Sequence, residues 1–326
     1  MTKTDEPLRV RVLQLRWEAD DVVSIQFDSA DDRPLPTWSP GDHIDLHLPG
    51  GVVRQYSLCG DPEPGAPWRI AVLRVAGGRG GSAAVHDTIR PGDVLRVAGP
   101  RNNFEFRAAH RYLFLAGGIG ITPIVPMIRQ AAAATAQWQL WYGGRTLSKM
   151  AFVPELVALE RKSECDESER VRIAPQDTDG MLPLDAILRE PIPETLIYCC
   201  GPTPMLDAIA HAAAHWPQDS LVMERFAPKA DSDDGAPRSG FDVEAARSGI
   251  TVHVRPESTI VEALEAAGIT PDTSCLEGIC GTCETKVLAG VPEHRDSLLS
   301  DAEREANHTM MICVGRSRGP KLVLDV

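Results

Sequence analysis

"TSCLEGICGTCETK", residues 273–286, places Cys275, Cys280 and Cys283 within nine residues, and Cys313 follows thirty positions on in "MICVGRS". The spacing is C-x4-C-x2-C-x29-C. A plant-type [2Fe–2S] cluster takes four thiolates, two per iron, from a C-x4-C-x2-C run and a distant fourth cysteine. Such a loop has to aim backbone N–H groups closely around two bridging sulfides, and Gly278, Gly281 and the small Thr282 permit that approach. Structural zinc also binds four thiolates, but usually through two C-x2–4-C knuckles rather than one triple loop and a lone cysteine. A cluster on Cys275, Cys280, Cys283 and Cys313 is the favoured reading, with zinc and unliganded core cysteines as its alternatives.

Working outward, "FDVEAARSGITVHVRP" reads as a hairpin turning at Ser248-Gly249. "TIVEALEAAGI" reads as a short helix, with Thr259 and Glu262 as a capping box and Gly268 as its C-terminal stop. Residues 227–240, "APKADSDDGAPRSG", have no apolar period and read as a linker. Before the linker, apolar strands alternate with helices. "YLFLAGG" leads to a helix from Thr122 to about Ala134, then come "WQLWYGG", a helix around "AFVPELVALER", "RVRIAP", a helix near "PLDAILRE", "TLIYCCG", a helix from Thr203, and "SLVMERF". This alternation predicts a parallel, doubly wound α/β sheet. The first hundred residues differ. "LRVRVLQLRW", "VVSIQFDS", "DHIDLHL", "RQYSLCG", "WRIAVLRV" and "DVLRVAG", punctuated by "SPGD", "PGG" and "RPGD", predict an antiparallel β-barrel or sandwich.

The bulk numbers suit several domains. The chain has 326 residues, 43% of them hydrophobic and 24% charged. No stretch approaches 18 apolar residues and "MTKTDEPLRV" has no apolar signal core, so a cytoplasmic protein with no membrane association is expected. The net charge of -13 lacks the basic footprint of nucleic-acid binding. Four of the eight cysteines lie in the opening constellation; disulfides are not expected in a reducing compartment.

Two glycine-rich turns carry the remaining chemistry. In "LAGGIGITPIVPMIR", residues 115–129, an apolar strand ends in Gly117, Gly118 and Gly120, and Thr122-Pro123 opens a helix whose N-terminus can take a pyrophosphate. In "YCCGPTPMLDAI", residues 198–209, Cys200-Gly201-Pro202 repeats the strand–turn–helix logic. Both turns fall at the carboxyl ends of strands, where open α/β sheets bind ligands. "GGRGGS", residues 77–82, offers free backbone amides, an arginine and a hydroxyl as a phosphate cradle, or is a flexible hairpin turn. "RQYSLCG", residues 54–60, is in isolation an ordinary barrel strand whose alternation separates Arg54 and Tyr56 from Gln55 and Ser57.

Taken in order, "RQYSL", "GRGGS", "AGGIGITP", "YCCGP", "CGTC" and "HRD" resemble the phthalate dioxygenase reductase family, within the wider ferredoxin–NADP reductase superfamily. The resemblance implies an FMN-binding β-barrel domain over residues 1–108, an NAD-binding α/β domain over 109–226, the linker, and a β-grasp ferredoxin domain over 241–326. It implies that Arg54, Gln55, Tyr56 and Ser57 contact FMN, with Arg54 on the phosphate and Tyr56 and Ser57 beside the ring. Ala71, Val72 and Leu73 match the second strand against the flavin, and Gly80, Gly81 and Ser82 the phosphate loop. Gly117, Gly118, Gly120, Thr122 and Pro123 match the nucleotide turn, with Thr122 also close to the flavin. Cys200, Gly201 and Pro202 match the motif near the nicotinamide, and Phe226 the aromatic beside the ring system, against a simple core role. Arg145 and Lys149 are open as contacts to the adenosine side; His294, Arg295 and Asp296 read as structural, Trp141 and Tyr142 as core. No role is read for Cys59, Cys165 or Cys199.

The implied activity is that of an oxidoreductase, passing electrons from NADH through FMN and a [2Fe–2S] cluster to a terminal oxygenase. That partner is expected to be a Rieske aromatic-ring oxygenase or demethylase, with a haem-thiolate monooxygenase as the alternative. The chain is expected to be a monomer. Residues 241–326 carry 14 acidic and 8 basic side chains, a net of -6, which suits a basic patch on the partner. Two rivals remain: a zinc-stabilised interaction protein, and a flavin reductase that releases free reduced flavin.

Overall fold

A computed structural model describes residues 7–31, 33–78, 80–162, 170–227 and 239–326. Arg79, Cys165 and residues 228–238 of the expected linker lie outside these. The chain divides into two compact units, Met1–Phe226 and Ala227–Val326.

The first unit opens with β1 (Leu8–Ala19), β2 (Val22–Ser29), β3 (Asp42–Leu48), β4 (Val52–Ser57), β5 (Trp68–Leu73), helix α1 (Gly81–Thr88) and β6 (Val94–Asn102). The six strands pair antiparallel in the order β4-β3-β6-β1-β2-β5. The sheet curls so that its end strands β4 and β5 meet, and it encloses Val10, Phe27, Ile44, Leu46, Trp68 and Ile70. All six strands expected from the sequence are present. Helix α1 was not expected: Gly81 and Ser82, read as part of a turn, are its first residues.

Strand alternation decides which face of β5 is available. Trp68, Ile70 and Val72 point into the barrel core, whereas Ala71 and Leu73 join the neighbouring core on the other face. Val72 can therefore offer a ligand only its backbone, which narrows its expected role.

The rest of this unit is β7 (Arg111–Gly117), α2 (Ile121–Ala133), β8 (Gln137–Gly144), α3 (Val153–Lys162), β9 (Val171–Pro175), the single turns α4 (Gln176–Asp179) and α5 (Leu184–Ile187), β10 (Thr195–Cys200), α6 (Thr203–Ala212) and β11 (Leu221–Glu224). The strands are parallel in the order β11-β10-β7-β8-β9. The central strands β7 and β10 are buried on both faces, whereas β8 alternates and the edge strands β9 and β11 are only partly covered. On β10, Tyr198 and Cys200 face one core and Ile197 and Cys199 the other. The helix expected near "PLDAILRE" shrinks to the single turn α5. Ala19, Val22, Cys59 and Ala71 of the barrel share a core with Ile121, Ile124, Val125 and Phe152, so the two halves are packed together. Tyr142 is fully buried, as a core residue should be, whereas Trp141 is only partly buried at the edge of a core and packs under Arg172.

The second unit contains β12 (Phe241–Ala245), β13 (Ile250–Val254), α7 (Ile260–Ala266), β14 (Glu284–Ala289), β15 (Pro292–Glu293), α8 (Asp301–Ala306), β16 (Thr309–Met311), β17 (Arg316–Ser317) and β18 (Lys321–Leu324). Its main sheet runs β13-β12-β18-β14-β16, with β12 and β18 parallel. The hairpin turns through Gly249 at φ 70°. The expected capping box is present: Glu262 N donates to Thr259 Oγ1 at 3.1 Å, and Thr259 N to Glu262 Oε2 at 2.8 Å. Gly268, at φ 80°, ends α7 while Ile269 N bonds back to Leu264 O. Among the described residues no helix is long and apolar enough to cross a membrane.

Candidate functional site

Arg54 and the start of α1 form one cradle. A Cβ placed on Gly81 would lie 2.7 Å from Arg54 Cγ and 2.8 Å from its Nε, so only glycine lets the arginine cross the helix start. Gly80 supplies the left-handed residue, φ 82°, that precedes the helix, and Ser82 Oγ accepts from Val75 N at 3.0 Å, closing the loop. Beside Gly77 and Gly80 a Cβ would meet nothing within 4 Å. A guanidinium laid over a helix start, with open space beside Gly80, fits a phosphate. Gln55 Nε2 donates to the buried Asp45 at 3.0 Å, and Tyr56 packs on the barrel core with its hydroxyl pushed up to about 12 by burial.

The two glycine turns interlock. A Cβ on Gly117 would meet Met205 Sδ at 2.6 Å and Pro202 Cδ at 2.7 Å; one on Gly120 would overlap the Cys200 carbonyl. Gly118, at φ 53°, faces open space. Two of the three glycines thus permit backbone contact between β7 and β10 ends, and the third leaves room for a ligand. Thr122 is buried, its hydroxyl bonded to Ile119 O at 3.0 Å, so it holds the turn from within. Tyr142 Oη donates to Gly118 O at 3.1 Å.

Where barrel and parallel sheet meet, three polar groups converge. Ser57 Oγ, at the end of β4, donates to Glu224 Oε2 at 3.4 Å, and Cys200 Sγ lies 4.0 Å from the same oxygen. Parallel register sets Cys200 beside Glu224. Burial pushes the Glu224 carboxyl up to about 8, partly countered by the Ser57 hydrogen bond. Burial, then the Glu224 charge, holds the Cys200 thiol well above its ordinary range. Glu224 was missed in the sequence. Its signal is a carboxylate closing the last apolar strand, "SLVMERF", at the strand end where α/β sheets bind ligands. Phe226, two residues on, is 39% exposed and so is not a core aromatic. Arg145 is exposed, and Lys149 is paired to Asp21 of the barrel at 3.2 Å.

In the second unit the loop 273–283 brings four thiols together. Cys283 Sγ and Cys313 Sγ are 3.1 Å apart, and Cys275 is within hydrogen-bonding reach of both Cys280 and Cys313. None is in a disulfide, and Cys280, Cys283 and Cys313 are buried. Leu276, Gly278 and Gly281 all take positive φ, which winds the backbone around the sulfurs. Gly278 is obligatory, since a Cβ there would lie 2.6 Å from Val314 Cγ2 and 3.0 Å from Asp296 Cα. Asp296 is buried and accepts from Leu298 N at 3.0 Å and Leu299 N at 2.8 Å, while Ser297 N donates to Gly278 O at 2.9 Å. The "HRD" segment is thus a brace for the loop. Three free thiols on a loop with inward-wound backbone, converging with the thiol of Cys313, fit an iron–sulfur cluster.

Family models for an oxidoreductase NAD-binding domain match residues 114–211, and for a 2Fe-2S iron-sulfur cluster binding domain residues 243–317. The chain is therefore an electron-transfer oxidoreductase built on these two modules and an antiparallel barrel. It is 38% identical to the toluene-4-sulfonate monooxygenase system reductase subunit TsaB1 of Comamonas testosteroni, over 97% of this chain and 98% of that one. A phthalate dioxygenase reductase structure, described as modular for electron transfer from pyridine nucleotides to [2Fe-2S], superposes with a TM-score of 0.71 at 31% identity, covering 99% of this chain and 98% of that chain. An intact type IV self-sufficient cytochrome P450 monooxygenase gives 0.88 at 42% identity, over 98% of this chain and 41% of the other. The chain belongs to the phthalate dioxygenase reductase family.

Proposed function

We propose that this chain is the reductase component of an oxygenase system, carrying electrons from NADH through FMN and a [2Fe–2S] cluster to a Rieske aromatic-ring oxygenase or demethylase. The observation that carries the reading is the meeting of Ser57, Cys200 and Glu224 at the junction of the barrel and the nucleotide sheet, in a chain that also holds the four-thiol loop. When bound, FMN would supply conversion of a two-electron donor to single electrons, and the cluster would supply one-electron transfer. The protein's part is positioning. Arg54 and the α1 amides hold the FMN phosphate; Tyr56 and the backbone of Ala71–Leu73 flank the ring. Gly118 and the α2 start receive the NADH pyrophosphate, and Thr122, Cys200 and Phe226 line the nicotinamide side. Ser57 donates to Glu224 Oε2 and so ties the end of β4 to the end of β11, between barrel and sheet. Cys275, Cys280, Cys283 and Cys313 ligate the cluster. The modules divide at 108/109 and across the 227–240 linker.

Four unbridged thiols and an NADH supply support a cytoplasmic location. The high likeness to the self-sufficient P450 favours a second reading, donation to a haem-thiolate monooxygenase. Mixing the purified protein with NADH and either oxygenase class under anaerobic conditions separates the two: the true partner's metal centre is reduced at a rate that saturates with reductase.

A further inference from the structure

A partly buried ion bridge spans the two halves of the first unit. Glu155, on α3, accepts from Arg69 of β5 twice, Nη1 to Oε2 and Nη2 to Oε1, each at 3.0 Å. Its Oε1 also accepts from Arg129 Nη2, on α2, at 2.6 Å. Both arginines reach on to the corner that follows β4: Arg69 Nη2 donates to Cys59 O at 2.7 Å, and Arg129 Nη1 to Gly60 O at 2.8 Å. The Arg69 side chain keeps only 10% of its surface exposed. The Phe152 ring lies 4.8 Å from its guanidinium carbon, and Phe152 holds φ at 63°, a region where a bulky side chain is uncommon.

The elements so joined are those that carry the redox site. β4 ends at Ser57, just before the gripped Cys59–Gly60 corner. On β5, Ala71 shares the face of Arg69. Helix α2 starts at the nucleotide turn, and Arg129 lies two turns, about 12 Å, along it. Apolar contacts already join the halves, and an ion bridge adds little net stability, whether screened by water at its exposed edge or offset by desolvation where it is buried. What paired guanidinium–carboxylate contacts add is orientation.

We infer that the Arg69–Glu155–Arg129 bridge sets helix α2 against the flavin-side strands β4 and β5, and so fixes how the nicotinamide approaches the flavin. This rests on the function proposed above. The three are positioning residues: none touches the reacting atoms, and their effect passes through α2, β4 and β5.

The test uses the FMN- and cluster-loaded protein with R129M, which removes one prong and leaves the Arg69–Glu155 pair, and E155Q, which removes the shared anion. A non-reducing tetrahydronicotinamide analogue of NADH is titrated into oxidised protein, reading the charge-transfer absorbance per bound analogue and its Kd. Flavin bleaching by NADH is followed in parallel by stopped flow. We expect R129M to lower the limiting bleaching rate at least about tenfold and the charge-transfer absorbance with it, since small misplacements are costly in hydride transfer. Kd should move less than about threefold, and R129K should recover part of both signals. Unchanged bleaching and charge transfer in folded R129M would overturn the proposal, as would a weakened Kd with normal absorbance per bound analogue. If E155Q does not fold, R129M decides alone. Wild-type protein that shows neither flavin nor charge transfer overturns the functional reading itself, and the proposal with it.

Discussion

A methyl group on Gly120 would run into the backbone carbonyl of Cys200 and lie 2.7 Å from Gly201 N. Gly120 sits at φ -62°, which any residue can adopt, so space and not conformation requires glycine here. Gly120→Ala should therefore push the two glycine turns apart. Overpacking of this kind costs about 1–3 kcal/mol. Thermal unfolding should show that loss, and NADH-dependent flavin reduction should fall further than stability does if, as proposed, the displaced turns receive the nucleotide.

Glu224 provides a pH test. Its folded value, about 8, lies above its ordinary 4.5, so its contribution to stability is complete below pH 4.5 and is lost as pH rises through 8. At full burial each pH unit in that window is worth about 1.4 kcal/mol; a half-buried group shows a fraction of that. Glu224→Gln should thus be the more stable partner at pH 8.5 relative to its standing at pH 5, by thermal unfolding at both. Equal pH profiles for the two proteins would mean that the carboxyl titrates normally.

Arg54 and Gly81 offer a test of the phosphate cradle. Gly81→Ala meets the flexible Arg54 side chain rather than backbone, so the fold should survive while the arginine is displaced. Losing one charge-assisted contact of roughly 1.5–3 kcal/mol should weaken FMN binding about tenfold or more. Flavin retained after gel filtration and dialysis measures it.

Replacing Cys283 by Ser removes a thiolate from the loop. The 273–283 segment has no helix or strand of its own, so the cluster's ligation should hold it in place. The C283S protein should keep flavin and NADH oxidation by artificial acceptors, lose the iron–sulfur absorbance, and show earlier unfolding of the second unit. Iron and sulfide retained at wild-type stoichiometry would contradict the ligand set.

These sites differ in how far the sequence revealed them. The cysteine spacing, the Thr259–Glu262 box and the Gly268 stop are local patterns, and each was legible because its partners lie within a few residues. A second capping box, Ser300 with Glu303, obeys the same rule but was not read. Helix α1 was hidden because Gly80 and Gly81 look like a turn until the cradle they form with Arg54 is seen. Ser57 and Glu224 are 167 residues apart, and Arg69 and Glu155 are 86 apart. No periodicity links such pairs; tertiary packing alone brings them together.

The net charge of -6 on residues 241–326 gives a further expectation. Reduction of the oxygenase should slow as ionic strength rises from low salt to about 0.5 M, because screening shortens the reach of complementary charges. A rate independent of salt would remove electrostatic steering from the account.

The most direct measurement is an anaerobic visible spectrum of the purified protein before and after stoichiometric NADH, with acid-released flavin identified and iron and sulfide counted. The account predicts flavin and iron–sulfur bands together, FMN as the released flavin, and bleaching of both chromophores by NADH. Protein that carries zinc in place of iron and cannot be reconstituted with iron and sulfide, or that leaves its cluster oxidised while its flavin is reduced, would contradict it.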